Sequence, residues 1–222
     1  MIITGRAYHR TKLNKVDETE LMLRLMNMKL FSRFATVLLG IAITSIWIPV
    51  SALTQEAPHC ISPAESVQKR SSAPGMKVQL ITERPGVEEY AVIFSTGDEA
   101  YSGLLDFAEK YHVTSGHFTA IGALSSAVLG WFDPQKKMYC ENPMNEQLEV
   151  ASMVGDFAMY NGKPALHTHM VVGHRDGTAS GGHLIEAIVS PTLEVFVTVD
   201  PIPLQKKYDP TTDLTLIDPN GK

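Results

Sequence analysis

Apolar and polar positions alternate along much of the chain from residue 76 onward. The segments "MKVQLITE" (76–83) and "EEYAVIFSTG" (88–97) alternate or are rich in β-branched and aromatic residues, which predicts two strands. The next stretch has helical spacing instead, and Asp98 is placed to cap that helix; its apolar positions are Leu104, Leu105, Ala108 and Tyr111. The pattern therefore predicts one main helix after the first two strands.

Strand-like segments separated by turn residues fill the rest of the pattern. They are "HFTAIGAL" (117–124), "SAVLGWFD" (126–133), "QLEVASMVGDFAMY" (147–160), "PALHTHMVV" (164–172), "GGHLIEAIVS" (181–190) and "LEVFVTVD" (193–200). The links between them are too short for helical crossovers, so we expect neighbouring strands to run mostly antiparallel. The sequence predicts an α+β domain over residues 76–200 with a mostly antiparallel sheet.

The segments on either side of this domain differ from it in composition. Residues 53–75 and 201–222 are polar and contain Pro, which predicts a linker and a loose C-terminal extension. Within residues 1–52, two basic positions precede an apolar run at 34–50, and Val50-Ser51-Ala52 fits a signal peptidase site. We expect a secretory signal peptide that is preceded by extra upstream residues, with the true initiator at Met26 or Met28.

Compartment and membrane attachment follow from this N-terminal segment. Cleavage near Ala52 predicts a secreted or periplasmic protein with no stable membrane span after signal removal. An uncleaved N-terminal anchor is the alternative, because the apolar run is close to the length that crosses a bilayer. Cys60 and Cys140 are the two cysteines, and an oxidising compartment allows them to pair, although the sequence leaves the pairing open.

Charge narrows the expected partners. The formal net charge is −5, and residues 1–52 hold seven Lys or Arg against three acidic residues, so the body of the protein is more acidic than the whole chain. A surface that neutralises phosphates needs clustered basic residues. On this argument nucleic acid is not expected as a partner.

Four of the eight histidines lie between residues 167 and 183. His167 and His169 share one face of a predicted strand, about 7 Å apart along it. His183 begins the next strand after a glycine-containing turn, so an antiparallel return brings it beside the pair. Three imidazoles at one point are a typical divalent metal site, and zinc with three protein ligands keeps a place open for chemistry. A metal-free acid/base or binding role, and solvated strand residues without chemistry, are the alternatives.

The surroundings of this cluster supply further candidates. Gly181 and Gly182 leave backbone that can approach an ion or substrate closely. His174 and Arg175 lie in the turn and are candidates for substrate binding, against the alternative of solvated loop residues. Neither the G-x-S-x-G nucleophile motif nor the phosphate-binding loop motif occurs in the sequence.

Three of these stretches together resemble a known family. The I-G-A-L at 121–124, the H-x-H at 167–169 and the G-G-H-L at 181–184 resemble the bacterial form of the PPC (plant and prokaryote conserved) domain, over about residues 76–200. The resemblance implies a curved, largely antiparallel sheet, a homotrimer with clefts between subunits, and a fold similar to acetolactate decarboxylase. It also implies His167, His169 and His183 as zinc ligands. Plant members carry R-G-R-P hooks that bind DNA, and this sequence has none.

The leading hypothesis is an exported PPC-domain protein that binds a divalent metal, zinc or another transition metal, at these three histidines. Whether it is an enzyme stays open; an enzyme of this kind would act on a small polar metabolite. One alternative is a non-catalytic module for a small ligand or a protein partner. The other is the DNA-binding protein that the family naming suggests.

Overall fold

The computed structural model describes residues 58–221, so the predicted signal peptide lies outside the described residues. Helix α1 covers Pro63–Ser66 and helix α2 covers Ala100–Lys110. The strands are β1 Cys60–Ile61, β2 Lys77–Arg84, β3 Val87–Ser95, β4 Gly116–Asp133, β5 Met138–Met144, β6 Leu148–Tyr160, β7 Lys163–Gly173, β8 Ala179–Val199, β9 Gln205–Asp209 and β10 Leu214–Asp218. Within 58–221, no helix is long and apolar enough to cross a membrane.

One mixed sheet contains these strands, and its pairings are mostly antiparallel, as predicted. The order is β1-β5-β4-β6-β7-β8-β3-β2, with β9 beside β6 and β10 beside β9. The β6–β9 pairing, Met159 with Gln205, is parallel. Strand β4 also pairs with β8, so the pairings of β4, β6, β7 and β8 form a closed cycle. The curvature implied by the resemblance stays a prediction.

Strands β4 and β8 are longer than the sequence predicts. Each joins two segments that the pattern separates, because irregular positions are absorbed as shifts in register rather than as turns. At Gly122, where φ is 153°, a Cβ would lie 2.4 Å from the Thr192 carbonyl oxygen, so glycine allows the two strands to stay paired there. Pro191, which cannot donate to a ladder, lies where the pairing of β8 with β4 skips from Leu193 to Val189.

Helix α2 covers the sheet on the side that holds the main core. Leu104 and Ala108 are fully buried, as the helical spacing predicts, and Phe107, which that prediction did not include, is fully buried too. The Phe107 ring lies 5.4 Å from the ring of Tyr90 and 6.2 Å from that of Phe157. These contacts fix the helix against strands on either side of the site described below.

The cap of α2 is Glu99, one residue later than predicted. The Glu99 carboxylate is fully buried and accepts from the backbone N–H of Tyr101 at 2.9 Å and Ser102 at 2.7 Å. It also accepts from the N–H of Ala187 on β8 at 3.1 Å. Asp98, the predicted cap, instead accepts from the N–H of Gly75 and of Ser95. The residue that caps the helix therefore also hydrogen-bonds to β8, a central strand of the sheet.

Both flanking segments contain regular structure, which composition alone did not reveal. Cys60 pairs with Cys140 in the β1–β5 ladder, and the two form a disulfide. The carboxylate and backbone of Glu65 complete a capping box with Ser62 at the start of α1. On the other side of the domain, β9 and β10 form a hairpin within the predicted extension. Long-range pairing and a covalent bond thus order segments predicted to be loose, while the domain boundaries themselves stay a prediction.

We expect Glu99→Gln to lower the free energy of unfolding by roughly 1–3 kcal/mol. Both carboxylate oxygens accept from buried N–H groups, so the amide NH₂ of glutamine must face at least one donor. Urea denaturation measures the change. Glu109→Gln, at an exposed position of the same helix, is the matched control and should change stability by less than about 0.5 kcal/mol. Equal urea midpoints for the two variants would show that the hydrogen bonds of Glu99 do not stabilise the fold.

Candidate metal centre

His167 and His169 project from the same face of β7. Residues of β7 alternate between buried and exposed from Leu166 to Val172, and both histidines fall on the exposed face. Their ring centroids lie 5.1 Å apart, with the rings perpendicular. Thr168, on the opposite face, is buried and donates to the Val154 carbonyl oxygen. Strand alternation therefore sets the direction of both imidazoles, as the sequence predicts.

His183 reaches the pair through the β7–β8 hairpin. His169 and His183 are directly paired residues in the antiparallel ladder. A turn closes this hairpin, with the His174 N–H bonded to the Thr178 carbonyl oxygen and Gly177 at a φ of 84°. One ligand atom from each of the three rings lies within 4.8 Å of the other two. The structure thus brings together the three side chains that the sequence singled out.

The His183 ring is buried beside the rings of His167 and His169. Its residue is 3% exposed, and within the described range neither Nδ1 nor Nε2 has a hydrogen-bond partner. The ring stacks on Tyr139 of β5, with centroids 4.4 Å apart and an interplanar angle of 17°. A buried polar atom without a partner costs about 1–3 kcal/mol. A metal ion bound to the lone pair of one ring nitrogen would give this imidazole a partner.

Burial also sets the protonation of the site. Desolvation, with the nearby rings of His167 and His169 and the Lys206 ammonium, lowers the pKa of His183 to about 3. Desolvation, followed by the charge of His167, lowers the pKa of His169. At neutral pH these two rings are therefore uncharged, which is the form that coordinates a metal.

Asp156 lies between the histidines and a lysine. It is the register partner of His167 on β6, and its Oδ2 lies 3.6 Å from Nδ1 of that ring. Its Oδ1 lies 3.2 Å from Nζ of Lys206, whose side chain is 5% exposed. Burial opposes ionisation of the Asp156 carboxyl, but His167 and Lys206 outweigh that effect and lower its pKa. The carboxylate faces Nδ1 of His167, a typical arrangement behind a metal-binding histidine.

These residues fit a divalent transition metal. Zinc–nitrogen bonds are about 2.0–2.1 Å, so nitrogens that share one ion lie within about 4 Å of each other. The three ligand atoms here all lie within 4.8 Å of one another; His183 is held by packing, whereas His167 and His169 are exposed and can adjust to an ion. Three nitrogen ligands and a carboxylate behind one of them suit zinc, copper, nickel or iron(II).

The two glycines before His183 have packing reasons for their identity. A Cβ on Gly182 would lie 2.7 Å from the Gly130 carbonyl oxygen, which no side chain tolerates. A Cβ on Gly181 would meet the Met170 carbonyl oxygen at 3.3 Å. Both glycines thus permit close strand pairing beside His183, and a role in substrate binding stays a prediction for them.

His174 and Arg175 lie away from the three-histidine group. His174 Nδ1 lies 2.9 Å from a carboxylate oxygen of Glu146, and Nε2 lies 2.8 Å from the Ser180 hydroxyl oxygen. Both of its ring nitrogens are therefore engaged in holding the hairpin. Arg175 is exposed in the turn. Substrate binding by these two residues stays a prediction.

Sequence reasoning missed three residues that shape the site. Tyr139, Asp156 and Lys206 contact the histidine group or its partners, and none lies within six residues of a ligand candidate. The strand register between β6 and β7, which places Asp156 opposite His167, was the one signal available. Lys206 arrives from β9, which the sequence assigned to a loose extension, so no local pattern indicated it.

Solved structures of other proteins share this fold. The chain is 28% identical to a candidate DNA-binding protein from Bacteroides thetaiotaomicron, with a TM-score of 0.60 and coverage of 65% of this chain and 97% of that one. It is 30% identical to a metal-containing protein from Archaeoglobus fulgidus, with a TM-score of 0.55 and coverage of 64% and 97%. A candidate DNA-binding protein from Ralstonia eutropha is also 30% identical, with a TM-score of 0.55 and coverage of 58% and 90%.

The prediction that nucleic acid is not a partner is wrong as it stands, because two of these relatives are described in terms of DNA binding. The argument behind it used the average charge of the body, and an average carries no information about a local basic surface. The homotrimer implied by the resemblance is not tested by a single chain. Among curated proteins, none shows significant similarity to this chain.

A family model matches residues 81–200, which is more than half of the chain. The matched range contains β7, β8 and the three histidines, together with α2 and its Glu99 cap. It is the family that the short motifs in the sequence resemble. The chain belongs to the Plants and Prokaryotes Conserved (PCC) domain family.

Proposed function

We propose that this protein binds one divalent transition metal ion, zinc, through His167, His169 and His183. The observation that carries the proposal is the His183 ring, which is buried, faces two further imidazoles and has no partner for either nitrogen among residues 58–221. The description of the A. fulgidus relative as metal-containing supports it. A zinc ion with three protein ligands keeps one position open and, when bound, polarises a carbonyl oxygen or lowers the pKa of bound water.

Different residues of this chain would orient the three ligands and leave access to the ion. Packing against Tyr139 fixes the direction of His183. Asp156 faces Nδ1 of His167 and leaves Nε2 of that ring for coordination. The exposed faces of His167 and His169 give a small ligand access to the open position. Action on a small metabolite and binding without turnover both use this geometry.

Metal content tests the proposal directly. We expect about one zinc per chain in protein purified without added metal, measured by mass spectrometry of the elements. The double variant His167→Ala/His169→Ala should retain a negligible amount, because one imidazole alone cannot hold the ion. Both positions are exposed, so the fold should survive. The control is His117→Ala, an exposed histidine outside the group, and it should bind as the wild type does.

Asp156→Asn is the graded variant of this experiment. It should weaken zinc affinity roughly 10- to 100-fold without abolishing binding, since it removes the charge that orients His167. Competition with a chromophoric chelator measures the affinity, and Asp200→Asn, beside His117, is its control. Equal and negligible metal in the wild type and in the double variant would remove the proposal.

We also propose that the protein is exported. The apolar segment before Ala52 is typical of a signal peptide. The Cys60–Cys140 disulfide supports an oxidising compartment, where such bonds persist. In its native host, the protein recovered from the periplasm or medium should have an intact mass that lacks residues 1–52. A full-length mass in the cytoplasmic fraction alone would refute export.

DNA binding is the second candidate function, because two relatives are described in those terms. A gel shift at physiological salt, with the purified protein in zinc-loaded and metal-free forms, tests it. Specific binding to duplex DNA should survive 150 mM salt, whereas purely phosphate-driven binding weakens steeply as salt rises. No shift in either form would leave the metal site without a nucleic-acid role.

A further inference from the structure

A cavity of about 700 Å³ opens beside the histidine group. His167 and His183 line one end of it, together with Lys206. The volume falls in the range of sites for small organic molecules, roughly 300–1,000 Å³. The cavity therefore has room for much more than the single oxygen atom that an open metal position needs.

The rest of the lining is mainly apolar, although it also includes Asn161, Lys163, Asp213 and Thr215. These walls come from α1 and the residue after it, from α2, from the β6–β7 turn region and from the β9–β10 hairpin. Apolar members are Ala64, Val67, Leu105, Pro164, Leu166 and Leu216. Val67 and Leu216 are 45% and 42% exposed, so a bound molecule would remove apolar surface from water. A small, fully polar metabolite would bury no apolar surface of its own against the apolar part of these walls.

Contacts far apart in the sequence hold the cavity walls in place. The disulfide ties β1, and with it α1, to β5. The Met159 N–H donates to the Leu204 carbonyl oxygen at 2.8 Å, and Lys137 Nζ donates to the Pro210 carbonyl oxygen at 2.9 Å, which fixes both ends of β9. The cavity is thus formed before any ligand arrives, which lowers the cost of binding.

Two of these walls lie outside residues 81–200, the range that the family model matches. Helix α1 precedes it and the β9–β10 hairpin follows it. The family relationship therefore does not indicate what the cavity holds. The chemistry of its lining has to decide that question.

The polar end favours a carboxylate. The Lys206 ammonium is almost fully buried, and Asp156 engages it at 3.2 Å, which leaves further N–H donors of that group available. His183 and His167 line the same end of the cavity, so a metal ion held by these histidines would lie close to a carboxylate bound there. A carboxylate has two oxygens, one for each of these partners.

We infer that the cavity binds a monocarboxylic acid with an extended apolar body, its carboxylate at the Lys206 and histidine end and its body between α1 and the β9–β10 hairpin. The inference rests on the proposed metal site for one of the two carboxylate contacts. The other contact, to Lys206, and the apolar walls belong to the chain itself.

Calorimetric titration of the zinc-loaded protein tests the inference with octanoate, acetate and octan-1-ol as probes. Octanoate should bind, and acetate should bind roughly a hundredfold more weakly or less, because it lacks the apolar body. Octan-1-ol keeps the body but lacks the charge, so it should bind about tenfold more weakly than octanoate. Equal affinity for octanoate and octan-1-ol would overturn the carboxylate contact.

Matched variants locate the ligand within the cavity. Lys206→Met should weaken octanoate binding about tenfold and leave octan-1-ol unchanged, while Lys207→Met, on the exposed side of β9, should change neither. Leu216→Asp places a charge in the apolar wall and should weaken both probes, and Ile202→Asp, 73% exposed and outside the cavity, is its control. Thermal unfolding of each variant confirms that it is folded.

The outcomes separate this inference from the proposed metal site. Stoichiometric zinc without measurable octanoate binding at millimolar concentration overturns the inference and leaves the metal site standing. Octanoate binding that depends on Lys206 in a protein that binds no zinc supports the cavity and removes the metal site. Binding that neither Lys206→Met nor Leu216→Asp weakens would place the ligand elsewhere and overturn the inference.

Discussion

The His183 imidazole is packed against Tyr139 at 3% exposure, and neither of its nitrogens is bonded within residues 58–221. A polar ring buried in this way costs free energy that the surrounding packing must offset. The neighbouring strands are arranged so that the ring stays in place: β7 pairs with β8 at His169, and β4 pairs with β8 at Gly130. This end of the sheet is therefore built around a donor atom directed at two other imidazoles.

The supports of that ring extend far along the chain. Tyr139, which stacks on it, precedes the disulfide-bonded Cys140, so the covalent bond to β1 and the wall behind His183 belong to the same strand. On the opposite side of the group, Asp156 connects His167 with the buried Lys206 of β9. Segments near both ends of the described chain thus support the same site. The histidines themselves follow from a local sequence pattern, but their surroundings depend on contacts between distant parts of the chain.

Local pattern was sufficient where one strand or one turn decides the outcome. Alternation placed His167 and His169 on one face, and the glycine turn brought His183 back to them. Prediction from local pattern failed where strand register or pairing with distant strands determines the structure. The register of β8 against β4 shifts between Leu184 and Glu186, so the regular alternation of side chains along β8 is interrupted at Ile185. Composition likewise missed β1, α1 and β9, because their order comes from a disulfide and from pairing with distant strands.

The histidine group and the apolar walls of the cavity differ in their position relative to the family domain. The three histidines and Asp156 lie on strands inside the matched range, whereas α1 and the β9–β10 hairpin lie outside it. Lys206 belongs to the hairpin but reaches the carboxylate behind His167. If the proposed metal and ligand sites hold, substitutions in the hairpin walls would alter which molecule enters without changing any of the three imidazoles. Metal binding and ligand choice would then depend on different parts of the chain, with Lys206 in contact with both.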